Sequence, residues 1–191
     1  ELAQKMAACT DPFVSVSLDG AEVVTHEWVR GVEGCFEDAL VGIRNLVDAG
    51  LKPQIIMSIM RQNKDQMESI VRLAERLGAG SVKFNVVQPT ARGEKLYESD
   101  VALSIEQLVE LGRWVENTLS ESTDLPVYYD HPPAFRPLGK MFGKNGDGCG
   151  VCGILGILGV LANGSYALCG IGKTVPDLVF GDASKDPLQD I

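Results

Sequence analysis

The sequence has no cluster of basic residues and no long apolar run. Its 17 Lys and Arg residues are scattered along the chain and are outnumbered by 26 Asp and Glu residues, which gives a formal net charge of −9. Nucleic-acid-binding proteins usually carry a basic patch, so no nucleic-acid partner is expected. The apolar runs are far shorter than the roughly 20 residues that span a bilayer, so no membrane segment is expected either.

Cysteines are too few for a disulfide-rich protein. Five cysteines in 191 residues, an odd number, do not indicate a disulfide scaffold. Cys9 and Cys35 stand alone and are interpreted as small buried apolar side chains. Residues 1–8 have the character of the last turns of a helix, and the sequence stops without a capping residue. We therefore expect a piece of a longer cytoplasmic protein.

Strand and helix patterns alternate through the first two thirds of the chain. Period-two alternation and short apolar runs predict strands over 12–20, 53–60, 81–87 and 126–129. Apolar residues at helical spacing predict a helix after each of the first three strands, and the segment that contains His26 and Arg30 is expected to be a loop. Short links between the units predict right-handed crossovers and a parallel sheet.

Two pairs of polar residues have the spacing of capping boxes. Asn63 with Gln66 and Ser104 with Gln107 precede apolar helical stripes, so Asn63 is predicted to be a helix N-cap. Asp19 precedes Gly20 at the end of the first strand, and its predicted role is to set a turn.

Each predicted strand carries polar residues on one face. Parallel strands that are buried on both faces are apolar throughout. Polar positions such as Ser17, Ser58 and Asn85 therefore favour a wet chamber at the axis of a barrel over an open sheet with a partly exposed face. We predict an α/β fold that forms half of a TIM-type β/α barrel over residues 1–136, with both alternatives still open.

The chain changes character near residue 137. Glycine becomes frequent and the helical period disappears. Two apolar segments flank Asn163-Gly164, the strongest short signal for a β-hairpin, so a hairpin is predicted over 158–172. We predict a second, small domain over residues 137–191.

Three cysteines, which we call the cysteine cluster, lie in this second domain. Cys149 and Cys152 form a CxxC pair, and Cys169 lies at the far end of the hairpin. Thiolates at such spacing suit zinc or an iron–sulfur cluster. A fourth ligand would have to come from Cys35 or from beyond Ile191, and three unrelated thiols are the simpler alternative.

Three segments resemble the second half of the barrel of radical S-adenosylmethionine enzymes. They are VSVSLDG (14–20), HEWVRGVEGCFEDALVGIRNLVDAG (26–50) and VKFNVVQPTARG (82–93). The tail resembles the start of the SPASM domain that follows this barrel in peptide-modifying members, because Cys152, Gly164 and Cys169 have the spacing of its opening cysteine pattern. The resemblance covers nearly the whole chain.

The resemblance implies a parent enzyme with a 4Fe–4S cluster that reductively cleaves S-adenosylmethionine and abstracts hydrogen from a peptide or small-molecule substrate. It implies that Ser17 and Arg30 hold polar groups of S-adenosylmethionine, that Val87 contacts the adenine, and that the cysteine cluster binds metal. The family's CxxxCxxC motif is absent from these 191 residues. We therefore expect this chain alone to be inactive, and its catalytic residues stay unknown.

Other interpretations remain at this point. A small α/β binding module with a zinc-stabilised cysteine hairpin is the main alternative, while a metal-dependent aldolase-like barrel lacks the expected ligands. Asp130 and His131 end the last predicted strand, where barrel enzymes place chemistry. His131 is a candidate general acid or base, although Pro132-Pro133 makes a turn residue the simpler interpretation.

A half-barrel has consequences for assembly. Its outer strands and inner face would be uncovered, and uncovered strand edges tend to pair with another chain. We predict a homodimer through the open barrel face, or alternatively a monomer in which the tail covers that face.

Overall fold

A computed structural model describes residues 1–87, 101–130, 141–144, 156–170 and 175–191. These residues form two compact units. The first unit contains 1–87 and 101–130, and the second contains 141–144, 156–170 and 175–191. The predicted boundary between residues 136 and 137 lies outside the described residues.

The first unit is built on a four-stranded parallel sheet in the order β1-β2-β3-β4. The strands are β1 (Ser15–Ser17), β2 (Gln54–Ile59), β3 (Ser81–Val86) and β4 (Val127–Asp130). Strand order follows chain order, as expected for consecutive β/α units of a barrel. The prediction of an α/β fold with parallel strands is confirmed, although β1 is shorter than its alternating pattern suggested.

Five helices lie within the described residues of this unit. They are α1 (Leu2–Ala7), α2 (Val23–Arg30), α3 (Cys35–Asp48), α4 (Met67–Leu77) and α5 (Ile105–Trp114). A 3-10 turn (Lys64–Gln66) precedes α4, and α5 continues as a π-helical turn (Val115–Leu119) and a 3-10 turn (Ser120–Ser122). The prediction of a loop over residues 23–30 was wrong. Four of these eight residues are Val or Thr, whose branched side chains weaken the helical signal.

One of the two predicted capping boxes is present. The Gln107 backbone N–H donates to Ser104 Oγ (3.3 Å), and the Ser104 N–H donates to Gln107 Oε1 (3.0 Å). This reciprocal pair starts α5. Gly78 ends α4 with a φ of 77°, a conformation that glycine adopts without a steric penalty.

The apolar face of the sheet packs against α3 and α4. Ile55, Met57 and Phe84 lie on this face and are fully buried beneath residues such as Ile43 and Ile70. Truncating a side chain such as Phe84 to Ala would cost about 3–5 kcal/mol, because the cavity left behind does not collapse fully. This core fixes the strands whose ends carry the candidate site.

The two isolated cysteines are not core residues. Cys9 is exposed and Cys35 is only half-buried, so the prediction of buried thiols was wrong for both. Cys9 follows α1, a helix with no buried residue, and Cys35 is the first residue of α3.

The opposite face of the sheet, which we call the polar face, carries Ser15, Ser17, Ser58, Lys83 and Asn85. The two serines of β1 are exposed and the other three residues are half-buried. The register places Asn85 directly beside Ser58. The exposure of these side chains agrees with the polar pattern of the strands.

The second unit contains a three-stranded antiparallel sheet in the order β5-β6-β7. The strands are β5 (Gly159–Val160), β6 (Ser165–Ala167) and β7 (Val179–Asp182), and 3-10 turns occupy Pro176–Leu178 and Leu188–Asp190. The turn between β5 and β6 contains Gly164 with a φ of 88°, and Asn163 Oδ1 accepts from the Ser165 N–H (3.1 Å). The predicted hairpin is confirmed, whereas β7 was not predicted.

The described part of the chain contains no helix with both the length and the apolarity needed to cross a membrane.

Candidate functional site

The candidate site lies at the carboxyl edge, by which we mean the edge of the sheet where β1, β2 and β3 end. Loops after parallel strands meet at such an edge, and barrel enzymes place their ligands there. Ser17 is the last residue of β1 and is exposed. Val87 directly follows β3 and is half-buried, and Arg30 ends α2. Ser17 and Val87 therefore belong to this edge, and Arg30 reaches it through Asp19.

Asp19 is the centre of the site. It lies two residues after Ser17 and is only 2% exposed. Its Oδ1 accepts from the Ser58 N–H (2.8 Å), and its Oδ2 forms an ion pair with Arg30 Nη2 (2.7 Å). A buried carboxylate needs such partners, because burying a charge without them is costly. The prediction that Asp19 only sets a turn was wrong, since this residue links the ends of β1, β2 and α2.

Asn63 holds the same junction from the loop after β2. It is fully buried, and its Nδ2 donates to the carbonyl oxygens of Asp19 and Ser58, each at 2.9 Å. Its Oδ1 accepts from the Met60 N–H at 2.7 Å. Asn63 lies at the N-cap position of the 3-10 turn Lys64–Gln66, but its side chain makes no capping hydrogen bond, so the predicted capping role of this side chain was wrong. Its side chain joins two strands instead of starting a helix.

His26 faces Asp19 from the middle of α2. It is 2% exposed, so the prediction of a solvated loop histidine was wrong. Its Nδ1 accepts from the Asp19 backbone N–H (3.0 Å), which means that Nδ1 carries no proton and the neutral ring is protonated on Nε2. The ring packs at a tilt on Phe36, with centroids 5.8 Å apart. Burial lowers the pKa of His26 from its ordinary 6.5, and the nearby Asp19 only partly opposes this effect.

The loop between β1 and α2 is also held by hydrogen bonds to the Gln66 side chain. Gln66 Oε1 accepts from the Ala21 N–H (2.8 Å), and Gln66 Nε2 donates to Thr25 Oγ1 (2.8 Å). A Cβ at Gly20 would lie 2.7 Å from Thr25 Cβ and 2.8 Å from the His26 backbone nitrogen. No side chain fits there without a shift of the backbone. Gln66 was predicted to close a capping box with Asn63, and it binds this loop instead.

Asn85 has an unsatisfied hydrogen-bond acceptor on the polar face. Its Oδ1 is buried and has no hydrogen-bond partner among the described residues. A buried acceptor in that state costs about 1–3 kcal/mol, so such atoms often mark a place where another group binds. Asn85 lies on β3 next to Ser58 of β2, close to the carboxyl edge.

Known proteins give this geometry a context. No family model matches the chain. The AdoMet-dependent heme synthase of Nitratidesulfovibrio vulgaris is 36% identical over 135 residues, which are 68% of this chain and 36% of that protein. The mycofactocin maturase MftC of Mycolicibacterium smegmatis is 34% identical over 116 residues, which are 60% of this chain and 29% of that protein. The chain is a homologue of radical S-adenosylmethionine enzymes.

Solved structures share the fold of this chain over almost its whole length. SuiB of Streptococcus suis, solved with S-adenosylmethionine, matches 98% of this chain and 44% of its own with a TM-score of 0.62 and 13% identity. The protein anSMEcpe, solved with AdoMet and a peptide, matches 98% of this chain and 52% of its own with a TM-score of 0.57 and 12% identity. The chain spans about a third of the length of the curated relatives it matches.

The cysteine cluster and the strand-end histidine fall largely outside the described residues. Cys149, Cys152 and His131 lie in parts of the chain that are not described, as does the side chain of Asp130. Cys169 follows β6 and is a half-buried free thiol. Over the described ranges, no group of three or more His, Cys, Asp or Glu side chains is arranged to hold a metal ion. Convergence of the three thiolates stays a prediction.

Proposed function

We propose that this chain supplies the part of a radical S-adenosylmethionine enzyme that holds S-adenosylmethionine at the carboxyl edge. The single observation that supports this role is the ion pair between the buried Asp19 carboxylate, two residues after the exposed Ser17, and the partly exposed Arg30. It keeps a guanidinium at the edge, and a guanidinium binds a carboxylate through a planar pair of donors. S-Adenosylmethionine offers both a carboxylate and an amino group, which suit Arg30 and the Ser17 hydroxyl.

Val87 would complete the adenosine side of the site. It is half-buried directly after β3, where an apolar side chain offers a van der Waals contact to an adenine ring. Ser17, Arg30 and Val87 together therefore fit the polar and apolar ends of one ligand.

The 4Fe–4S cluster of such an enzyme supplies the electron for reductive cleavage of S-adenosylmethionine. These 191 residues contain no CxxxCxxC motif and do not fit that cluster. We therefore expect the chain alone to form no 5′-deoxyadenosine after iron–sulfur reconstitution. What this chain contributes is binding, orientation and exclusion of water.

A peptide is the proposed substrate. SuiB has been solved with its precursor peptide SuiA, and anSMEcpe with a peptide. The polar face supports the same class here, because the adjacent Ser58 and Asn85 side chains offer a donor and acceptors that a backbone amide can meet. A small molecule is the second candidate, since relatives of comparable identity are named as heme synthases.

The remaining assignments complete the proposal. Residues 1–136 would form the barrel part, and residues 137–191 a SPASM-like domain whose Cys149, Cys152 and Cys169 bind an iron–sulfur cluster or zinc. The parent enzyme would act in the cytoplasm. β1 and β4 each pair on one side only within the described residues, which supports a homodimer through the open face.

Backbone amide NMR spectra of the full chain test the cofactor site. Titration with S-adenosylmethionine should shift the amides of Ser17, Arg30 and Val87, and free methionine should shift the first two but not Val87. Ser17→Ala should weaken binding, whereas Ser15→Ala should not, because Ser15 is an exposed serine on the same strand and face but farther from the edge. Shifts confined to other regions, or none at several millimolar ligand, would reject the site.

A further inference from the structure

Three buried residues at the carboxyl edge are arranged to hold Arg30 in place. We propose that Asp19, His26 and Asn63 are positioning residues that fix the Arg30 guanidinium for a ligand carboxylate. The identity of that ligand rests on the proposed function, while the fixation of Arg30 does not. None of the three side chains needs to touch the ligand, because Asp19 and Asn63 are buried beneath the edge and His26 is buried within α2.

Every polar group of Asp19 is bonded to a different partner. Its N–H donates to His26 Nδ1, and its carbonyl oxygen accepts from Asn63 Nδ2. Its two carboxylate oxygens bind the Ser58 N–H and Arg30 Nη2. A residue held at four points from a strand, a loop and a helix has no freedom to turn its carboxylate away. The partner of Arg30 is therefore fixed in the free protein.

α2 is anchored on Asp19 through two of its own residues. His26 and Arg30 lie one helical turn apart, so their side chains lie on the same side of α2. One contacts the backbone of Asp19 and the other its carboxylate. This double contact fixes both the rotation of α2 and the place of the guanidinium.

The guanidinium nevertheless remains open to a ligand. The Arg30 side chain is 32% exposed, whereas Asp19 is 2% exposed. A free arginine side chain loses much rotational freedom when it binds a ligand. An arginine that is already ordered in the folded protein does not lose that freedom again, which strengthens binding.

The first test measures motion and needs no ligand. Nitrogen relaxation of the Arg30 Nε–H group should show a rigid side chain in the wild-type chain and a mobile one in Asp19→Asn. Arg44, an exposed residue on α3, serves as the mobile reference in both proteins. An Arg30 as mobile as Arg44 in the wild-type chain would overturn the inference, whatever the chain binds.

The second test uses S-adenosylmethionine and separates positioning from simple charge balance. Asp19→Asn removes a negative charge beside Arg30, so charge alone predicts tighter carboxylate binding. Loss of positioning predicts the opposite, a Kd raised about tenfold. Tighter or unchanged binding would overturn the inference. If the wild-type chain does not bind S-adenosylmethionine but its Arg30 side chain is rigid, the proposed function is rejected and the inference on positioning is retained.

Substitutions at His26 keep the proposal testable if Asp19→Asn does not fold. His26→Asn retains an acceptor near the position of Nδ1, whereas His26→Ala removes it. We expect Arg30 to become mobile in His26→Ala and to stay rigid in His26→Asn. Equal Arg30 mobility in the two variants would contradict a positioning role for His26.

Discussion

Substitutions of Asn63 distinguish a side chain that bridges two strands from one that only caps a helix, because the two roles predict different losses in the free energy of unfolding. Asn63→Ala removes three hydrogen bonds and leaves the Met60 N–H and the carbonyls of Asp19 and Ser58 without their partner. Each unsatisfied buried group costs about 1–3 kcal/mol. Because a water molecule can replace part of the lost amide, we expect the free energy of unfolding to fall by about 3–5 kcal/mol in total.

A helix cap would give a much smaller loss. Replacing an N-cap Asn by Ala typically costs about 1 kcal/mol, and Asp is as good a cap as Asn. In the bridge, however, an aspartate cannot donate to the two carbonyl oxygens and adds a charge next to Asp19. Asn63→Asp should therefore destabilise the chain as strongly as Asn63→Ala, a result that a cap does not explain.

Urea unfolding followed by tryptophan fluorescence measures these losses. Both tryptophans, Trp28 and Trp114, belong to the first unit, so their signal reports on the unit that contains Asn63. Asn117→Ala is the matched control, because the Asn117 side chain also donates to a carbonyl oxygen (2.8 Å) but is exposed. Its loss should stay below about 1 kcal/mol. A loss near that size for Asn63→Ala, together with a neutral Asn63→Asp, would refute the bridge.

Three further predictions concern pH, metal and assembly. The lowered pKa of His26 means that the unfolded chain binds a proton more readily, so stability should fall as the pH drops below about 6.5. Thermal unfolding at several pH values should show this slope, and His26→Gln should flatten it. Purified chain should hold iron or zinc, and Cys169→Ser should lower its metal content. Brown iron–sulfur would favour the radical S-adenosylmethionine parent, and colourless zinc at one per chain would favour the binding-module alternative. Light scattering should give a dimer, and a mass near the single chain's 20.5 kDa would reject it.

The strand pattern could be predicted because it is local. Alternation along β1 and the short apolar runs of β2 and β3 show which residues face the core, and Ser104 with Gln107 lies within a single turn. The polar face follows from the same period of two. These features need no knowledge of which segments meet in space.

The buried network could not be predicted in this way. Asp19 contacts Ser58 and Asn63 across 39 and 44 positions in the sequence. An asparagine after a strand can also either cap the next helix or bridge to another strand, and the sequence pattern is the same in both cases. α2 was missed because its β-branched residues obscure a helix that is held by His26 and Arg30 on Asp19. Burial of His26 is a consequence of that contact and not of its neighbours in sequence.

The hydrogen bond from the Asp19 N–H to His26 has a consequence for hydrogen exchange. This N–H is buried and lies between the end of β1 and α2. The Asp19 carboxylate is bound to Ser58 of β2, and its carbonyl oxygen is bound to Asn63 in the loop after β2. If α2 frayed from its C-terminal end, Arg30 would be released first, and the hydrogen bond from the Asp19 N–H to His26 would still be intact. Exchange at Asp19 therefore requires the separation of α2 from β1 as a unit, so the rate of this one amide reports how often the carboxyl edge opens.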